Sequence, residues 1–156
     1  MASTVPSIPL VGKVHLPMTL EATLIVVLRW LLALGFIAAG ANHFRDPAFY
    51  LAIMPPYLPW PGPLVAISGL CEIAGGIGIL IPATRRLAGY GLIALLVAVF
   101  PANLYMAMSN AQPPGVHLSE WALWARLPLQ IIFIAWVWAV ALRERHPKGG
   151  TRATAH

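Results

Sequence analysis

Four long apolar stretches, separated by connections that contain proline, limit what this chain of 156 residues can fold into. The stretches cover residues 24–42, 64–81, 87–106 and 119–141. Of the fifteen prolines, all but Pro101 and Pro128 lie outside them, as expected if each stretch is a helix that proline would interrupt. A helix of about 20 apolar residues is long enough to cross the hydrocarbon core of a bilayer. The pattern therefore predicts an all-α fold with four transmembrane helices.

The composition excludes several classes of protein. Apolar residues make up 59% of the chain and charged residues only 10%, whereas soluble domains carry about 25% charged residues. After four spans, too few residues remain for a separate soluble catalytic domain. The net charge of +5 does not indicate nucleic-acid binding, because the basic residues form no groove with interleaved aromatic residues. The single cysteine excludes an intrachain disulfide and a paired-cysteine redox motif.

The basic residues predict the orientation of the chain, because short cytoplasmic loops retain Lys and Arg. Most of them belong to one side of the membrane: Lys13, Arg29, Arg85, Arg86, Arg143, Arg145, Lys148 and Arg152. The other side has Arg45, and Arg126 lies inside the last stretch. We therefore expect both termini in the cytoplasm, an integral membrane up-down four-helix bundle, and the bacterial cytoplasmic (inner) membrane as its location.

Three parts of the chain differ in composition. Residues 1–20 are interrupted by proline and glycine and predict a mobile tail, residues 21–142 contain the four spans, and residues 143–156 form a basic tail. The first outer loop is rich in aromatic residues, which favour the interface between lipid and water. In that loop Asp46 followed by Pro47 predicts an N-cap and first turn. We expect a short interfacial helix from Asp46 to Met54 that covers the outer mouth of the bundle.

Polar residues inside the predicted spans point to a functional site. A charge near the centre of a bilayer costs at least ~2.5–3.5 kcal/mol on insertion scales and is generally paired or in a wet cavity. Glu72 lies on a face of small residues in the second span, and its predicted partner is Arg126 in the fourth. Asn103, Gln130 and His43 fall at a similar depth. These five residues predict a polar ligand pocket in the outer leaflet.

A structural interpretation of the same residues stays open. Glu72 and Arg126 could form a buried ion pair that only fixes the register of the helices, with Asn103 and Gln130 as interhelical hydrogen bonds. The histidines His43 and His117 have no fixed spacing, so no metal site is predicted. No arrangement of nucleophile, base and orienting group is visible, so the sequence assigns no catalytic residue.

Six short motifs occur in a distinctive order within residues 28–142: Gly40–Phe44, Pro55–Pro59, Ser68–Ile73, Thr84–Gly89, Pro101–Ala107 and Arg126–Gln130. In this order they resemble the DoxX-like family of small four-helix membrane proteins. The resemblance implies the same four-helix fold. It also implies membrane redox work, since relatives include subunits of a thiosulfate:quinone oxidoreductase, a membrane oxidoreductase complex for oxidative-stress defence, and a maturation factor of methylamine dehydrogenase. Distant animal relatives are receptor-assembly chaperones.

Two hypotheses on function follow from the residues and the resemblance together. The first is an accessory protein or subunit of a membrane redox system, more a partner than a stand-alone enzyme, which binds a quinone or another small molecule in the pocket. Its partners would be the lipid bilayer, a membrane or periplasmic redox protein and the small-molecule ligand; quinone is the one cofactor that it suggests. The second is a non-enzymatic assembly factor or chaperone, in which the pair of Glu72 and Arg126 is purely structural.

Overall fold

A computed structural model describes residues 18–143 of the chain. It contains five α-helices followed by a π-helical turn, and no strand among these residues. The helices are α1 (Met18–Arg45), α2 (Pro47–Leu51), α3 (Pro61–Leu80), α4 (Arg85–Ser109) and α5 (Glu120–Val137), and the π-helical turn is Trp138–Leu142. The all-helical fold class is therefore confirmed.

Four of these helical segments are long and apolar enough to cross a membrane, as the sequence predicted. They are Leu20–Arg45, Pro61–Leu80, Arg85–Ser109 and Glu120–Leu142. Each is a few residues longer than, or shifted from, the apolar stretch that predicted it. Many large apolar side chains on them are exposed, among them Trp30, Ile67 and Ile131. An apolar exterior of this kind suits a surface covered by lipid, and together with the four candidate spans it indicates an integral membrane protein.

The predicted tails fall mostly outside the described residues. Of the N-terminal tail, residues 1–17 lie outside them, whereas residues 18–20 already belong to α1. Of the basic C-terminal tail, residues 144–156 lie outside them, and Arg143 follows the π-helical turn.

The helices α1 and α3 are in backbone contact where two glycines cross. A Cβ added to Gly40 would lie 2.5 Å from the carbonyl oxygen of Gly69, and one added to Gly69 would lie 2.6 Å from Cβ of His43. No real Cβ atom tolerates such distances, so only glycine permits this approach. The crossing holds the last turns of α1 against the first half of α3.

Other glycines bring α4 against its neighbours. The side chain of Leu92 packs directly on Gly75, where a Cβ would otherwise lie. Gly78 contacts Ala88, and Gly89 contacts Ala141 of the π-helical turn. These contacts surround a cluster of buried residues, Leu32, Phe36, Ile79, Leu92, Val137, Val140, Ala141 and Leu142. We call it the inner core. Gly75 and Gly78 are therefore used for contacts within this chain.

The contacts also define two ends of the structure. At the end that we call the α2 end, the C-terminal turns of α1 and α4 lie with the N-terminal turns of α3 and α5 and with α2. At the opposite end, the guanidinium of Arg29 donates to the carbonyl oxygen of Val140 from Nε at 3.2 Å and Nη2 at 3.0 Å. There Arg85 donates to the carbonyl oxygen of Ile79 at 3.0 Å, which satisfies an orphan acceptor at the end of α3.

The short helix of the first loop begins as predicted. The carboxylate of Asp46 accepts a hydrogen bond from the backbone N–H of Phe49 at 3.3 Å, and Pro47 occupies the first helical position. The helix is shorter than the predicted segment, because it ends at Leu51 and single turns continue the chain to Met54.

Candidate functional site

A cavity of about 620 Å³ lies between the helices and reaches the α2 end. Its size is typical of sites for small organic ligands. The five residues that the sequence predicted for the pocket all line it: His43, Glu72, Asn103, Arg126 and Gln130. The rest of its wall is largely apolar and comes from α3, α4, α5 and the loop between α1 and α3. The structure thus brings the predicted residues together, while their role in binding stays a prediction.

His43 is held in a defined orientation at the glycine crossing. Its Nδ1 lies 2.8 Å from the carbonyl oxygen of Val65 and 3.1 Å from Oγ of Ser68. The Ser68 hydroxyl itself donates to the same carbonyl at 2.9 Å. Because a carbonyl oxygen only accepts, Nδ1 is assigned the ring proton. The other nitrogen, Nε2, is therefore free to accept a proton, and it faces the next helix.

The group that faces His43 Nε2 is the carboxylate of Glu72. The distance between Nε2 and Oε2 is 3.6 Å, and the two side chains are only 8% and 16% exposed. Oε2 is buried and has no hydrogen-bond partner in the described residues. With the ring proton on Nδ1, two lone pairs face each other across this distance. The arrangement has a place for one proton between the two groups.

This geometry corrects the ion pair predicted between Glu72 and Arg126. The two residues line the same cavity, but among the described residues Glu72 pairs with His43. Nη1 of Arg126 instead lies 2.7 Å from Sδ of Met106. The reason is rotational: Glu72 lies on the face of α3 that contacts α1, and Arg126 lies on the face of α5 that contacts α4. The predicted similarity in depth is also inexact, because Glu72 lies about 16 Å from the start of α3 and Arg126 only about 9 Å from the start of α5.

Arg126 therefore brings a positive charge to the cavity wall without a carboxylate within 4.0 Å in the described part of the chain. Thioether sulfur is only a weak acceptor, and a guanidinium carries five N–H donors. Most of its hydrogen-bonding capacity is not used by the protein groups around it. In this position it can bind a carbonyl oxygen or an anion that enters the cavity.

Asn103 and Gln130 connect α4 to α5 in the same wall. Nδ2 of Asn103 donates to Oε1 of Gln130 at 3.0 Å, and Nε2 of Gln130 donates to the carbonyl oxygen of Leu96. Gln130 is buried. Pro101 has no N–H, so the carbonyl oxygen of Val97, four residues before it, loses its helical partner. The carbonyl that Gln130 binds is that of the preceding residue, and Val97 lies outside the cavity wall.

The first loop closes part of the α2 end. Its residues Phe49, Tyr50, Ile53, Met54 and Leu58 line the cavity. The ring of Tyr50 stacks on the imidazole of His43, with centroids 3.6 Å apart. The Tyr50 hydroxyl accepts from Asn42 at 3.2 Å and donates to the carbonyl oxygen of Ala39 at 3.4 Å. Burial raises the pKa of this phenol above its usual value. The Tyr50 ring that stacks on the histidine is therefore uncharged at physiological pH.

Sequence reasoning missed Tyr50 and Ser68 as parts of the site. Tyr50 was recognised only as one of several interfacial aromatic residues. Ser68 precedes Glu72 by four residues and so shares its face of α3. That spacing also brings Ser68 to His43 once α1 is known to be the neighbour of α3.

Taken together, the fold and cavity define a class: a helical protein with four segments able to span a membrane and a mainly apolar cavity that holds separate acidic and basic groups. The chain belongs to the family described as a domain of unknown function, DUF8561, whose model matches residues 32–141. That match covers the cavity and all five predicted residues. Comparison with curated proteins and with solved structures finds no match to either.

Proposed function

We propose that the chain is an integral membrane protein that binds a quinone, or another small molecule with a carbonyl or anionic group, as an accessory or subunit of a membrane redox system. The observation that carries this proposal is the cavity of about 620 Å³ with Arg126 in its wall. Apolar walls suit the ring or tail of a lipophilic ligand, and a few convergent polar groups fix its orientation.

Depth along the helices supports a ligand that lies partly in the membrane. Arg126 and Asn103 lie roughly 9 Å from the α2 end of their helices, and Glu72 lies roughly 16 Å from the start of α3. A quinone head could accept a hydrogen bond from Arg126 at one carbonyl, while the pair of His43 and Glu72 exchanges a proton. Reduction of a quinone needs both hydrogen-bond donors and proton delivery.

The proposal includes the topology predicted by the basic residues. The helices form an up-down bundle in the bacterial cytoplasmic membrane, with both termini in the cytoplasm and the α2 end outside. Redox partners would then be membrane or periplasmic proteins that reach the α2 end. The resemblance to the DoxX-like family agrees with this role and remains a prediction.

Binding of menadione to the purified protein in lipid nanodiscs tests the proposal. Arg126→Ala should weaken binding about tenfold, the loss expected for about 1.4 kcal/mol from a hydrogen bond to a charged donor. Glu72→Gln should also change the affinity. Arg45→Ala is the matched control, because it removes the same charge from an exposed position outside the cavity.

The outcomes separate the two hypotheses. If both cavity variants fold and bind menadione as tightly as the original chain, the proposed site is wrong. A protein that binds no quinone but copurifies with one specific membrane protein would favour the assembly factor. The assembly-factor hypothesis would then still need a different structural role for Glu72 and Arg126, because it assumed an ion pair between them.

A further inference from the structure

The cavity holds an acidic and a basic side chain that do not contact each other. Arg126 belongs to α5, and the carboxylate of Glu72 lies on α3 beside His43. With Glu72 ionised and His43 neutral, the empty cavity has no net charge. An anion that binds at Arg126 gives the cavity a net negative charge in a surrounding of low dielectric constant, where unpaired charge is costly. One added proton restores neutrality.

The place for that proton is already formed. Nε2 of His43 and Oε2 of Glu72 face each other at 3.6 Å with no hydrogen between them in the assigned tautomer. Oε2 is buried and without a hydrogen-bond partner in the described residues. A proton bound by either atom replaces two opposed lone pairs by a donor and an acceptor. A small approach of the side chains then forms a hydrogen bond, which relieves the repulsion and satisfies Oε2.

Other charged groups near the pair do not take over this role. From α2, the neutral phenol of Tyr50 stacks on His43. From α5, Arg126 contributes a fixed positive charge, and the cavity-lining residues of α4 include no titratable side chain. Asp46 and Arg45, at the end of α1, are exposed and lie outside the cavity wall.

We propose that the cavity takes up an acidic organic ligand as its anion together with one proton, with the anion at Arg126 and the proton shared by His43 and Glu72. The inference rests on the proposed function and narrows its ligand to an ionisable ring compound with an apolar body. No electron is transferred. The proton comes from water or from the neutral acid, and it forms an N–H or O–H bond on the pair.

Two matched probes test this uptake. Lawsone is a hydroxynaphthoquinone that is an anion near neutral pH, and its methyl ether has the same rings without the acidic group. Calorimetric titration of the protein in nanodiscs, in two buffers of different ionisation enthalpy, gives the number of protons bound with each ligand. A pH series from about 6 to 9 covers the range in which a pair of histidine and carboxylate side chains can gain or lose a proton.

For the unsubstituted protein at the upper end of this range, we expect uptake of about one proton for each lawsone bound. The affinity for lawsone should then fall about tenfold for each unit by which the pH rises. The methyl ether should bind with no proton uptake. Glu72→Gln should bind lawsone at least as tightly, without proton uptake and without the pH dependence. Arg126→Gln should abolish lawsone binding, and it should weaken binding of the methyl ether by no more than the loss of about tenfold expected for menadione.

The proton uptake measured with the unsubstituted protein tests the inference even if a variant fails to fold. Absence of proton uptake with lawsone at every pH in the series overturns the inference, as does equal uptake in Glu72→Gln. If lawsone does not bind at all, the inference is also overturned. The methyl ether and menadione then distinguish the cases: their binding leaves the proposed quinone site standing, and their failure to bind removes it as well.

Discussion

His43 of α1 and Glu72 of α3 face each other at 3.6 Å because the two helices touch at glycines. The same crossing that places Gly69 against Cβ of His43 also sets the imidazole beside the carbonyl of Val65. The orientation of the histidine therefore depends on backbone contact between helices. Changes at the glycines should affect the stability of the protein and the acid-base pair together.

Gly40→Ala should destabilise the protein. The new Cβ would lie 2.5 Å from the carbonyl oxygen of Gly69 and 2.8 Å from Ile73, so α1 and α3 must separate, at about 1–3 kcal/mol for an overpacked contact. Gly35→Ala is the matched control, because nothing lies within 4 Å of its Cβ. It should stabilise α1 by about 0.5–1 kcal/mol through helix propensity. Unfolding in mixed micelles measures both, and equal effects of the two substitutions would contradict the close crossing.

Asp46→Ala should loosen the first loop. It removes the side-chain oxygen that accepts from the backbone N–H of Phe49, and loss of an N-cap costs about 0.5–2 kcal/mol. Hydrogen exchange of the backbone amides in residues 47–54 should become faster, and menadione binding should weaken because Phe49 and Tyr50 line the cavity.

Asp46→Asn is the control for this change, because asparagine is an equally good N-cap and lacks the charge. It should keep both the slow exchange and the ligand affinity. If Asn behaves as Ala does, the charge of Asp46 matters and the cap does not.

The bond between Asn103 and Gln130 should appear as a coupling energy between α4 and α5. The two side chains meet at 3.0 Å in the cavity wall, and interhelical hydrogen bonds in membrane proteins average about 0.6 kcal/mol in double-mutant cycles. Asn103→Ala, Gln130→Ala and the double variant give the cycle in mixed micelles. We expect a favourable coupling of this size; additive effects would show that the contact does not contribute to stability. Ile131→Ala, at an exposed position next to Gln130, should show no coupling with Asn103→Ala.

Cysteine labelling tests the proposed topology. Cys71→Ala removes the one cysteine of the chain, and Ala83→Cys or His117→Cys then places a thiol in either of two exposed connections. A membrane-impermeant maleimide added to intact cells should label the second variant and leave the first unlabelled. The reverse pattern would place the α2 end in the cytoplasm.

The sequence was most informative about the helices and their bounds. Hydropathy and proline positions predicted four spanning segments to within a few residues, because both properties act along the chain. The start of α2 was equally local, since Asp46 and Pro47 form a cap by themselves. The partner of Glu72 was not predictable in this way, because it depends on how α3 and α5 are rotated about their axes.

That rotation is fixed by packing between distant parts of the chain. Gly69 determines that His43 and not Arg126 lies beside Glu72, and this requires α1 and α3 to be known as neighbours. The stacking of Tyr50 on His43 depends likewise on how the loop folds back. Hydropathy and spacing contain no information on either relation.

The inner core also limits what can pass through the molecule. Leu32, Ile79, Leu92 and Val137 are at most 2% exposed and fill the space between the cavity and the opposite end. In the described part of the chain, these side chains leave no continuous passage from the cavity along the bundle axis to the opposite end. The structure therefore has the form of a cup that is closed towards Arg29 and Arg85, and it has no pore along the axis of the described helices.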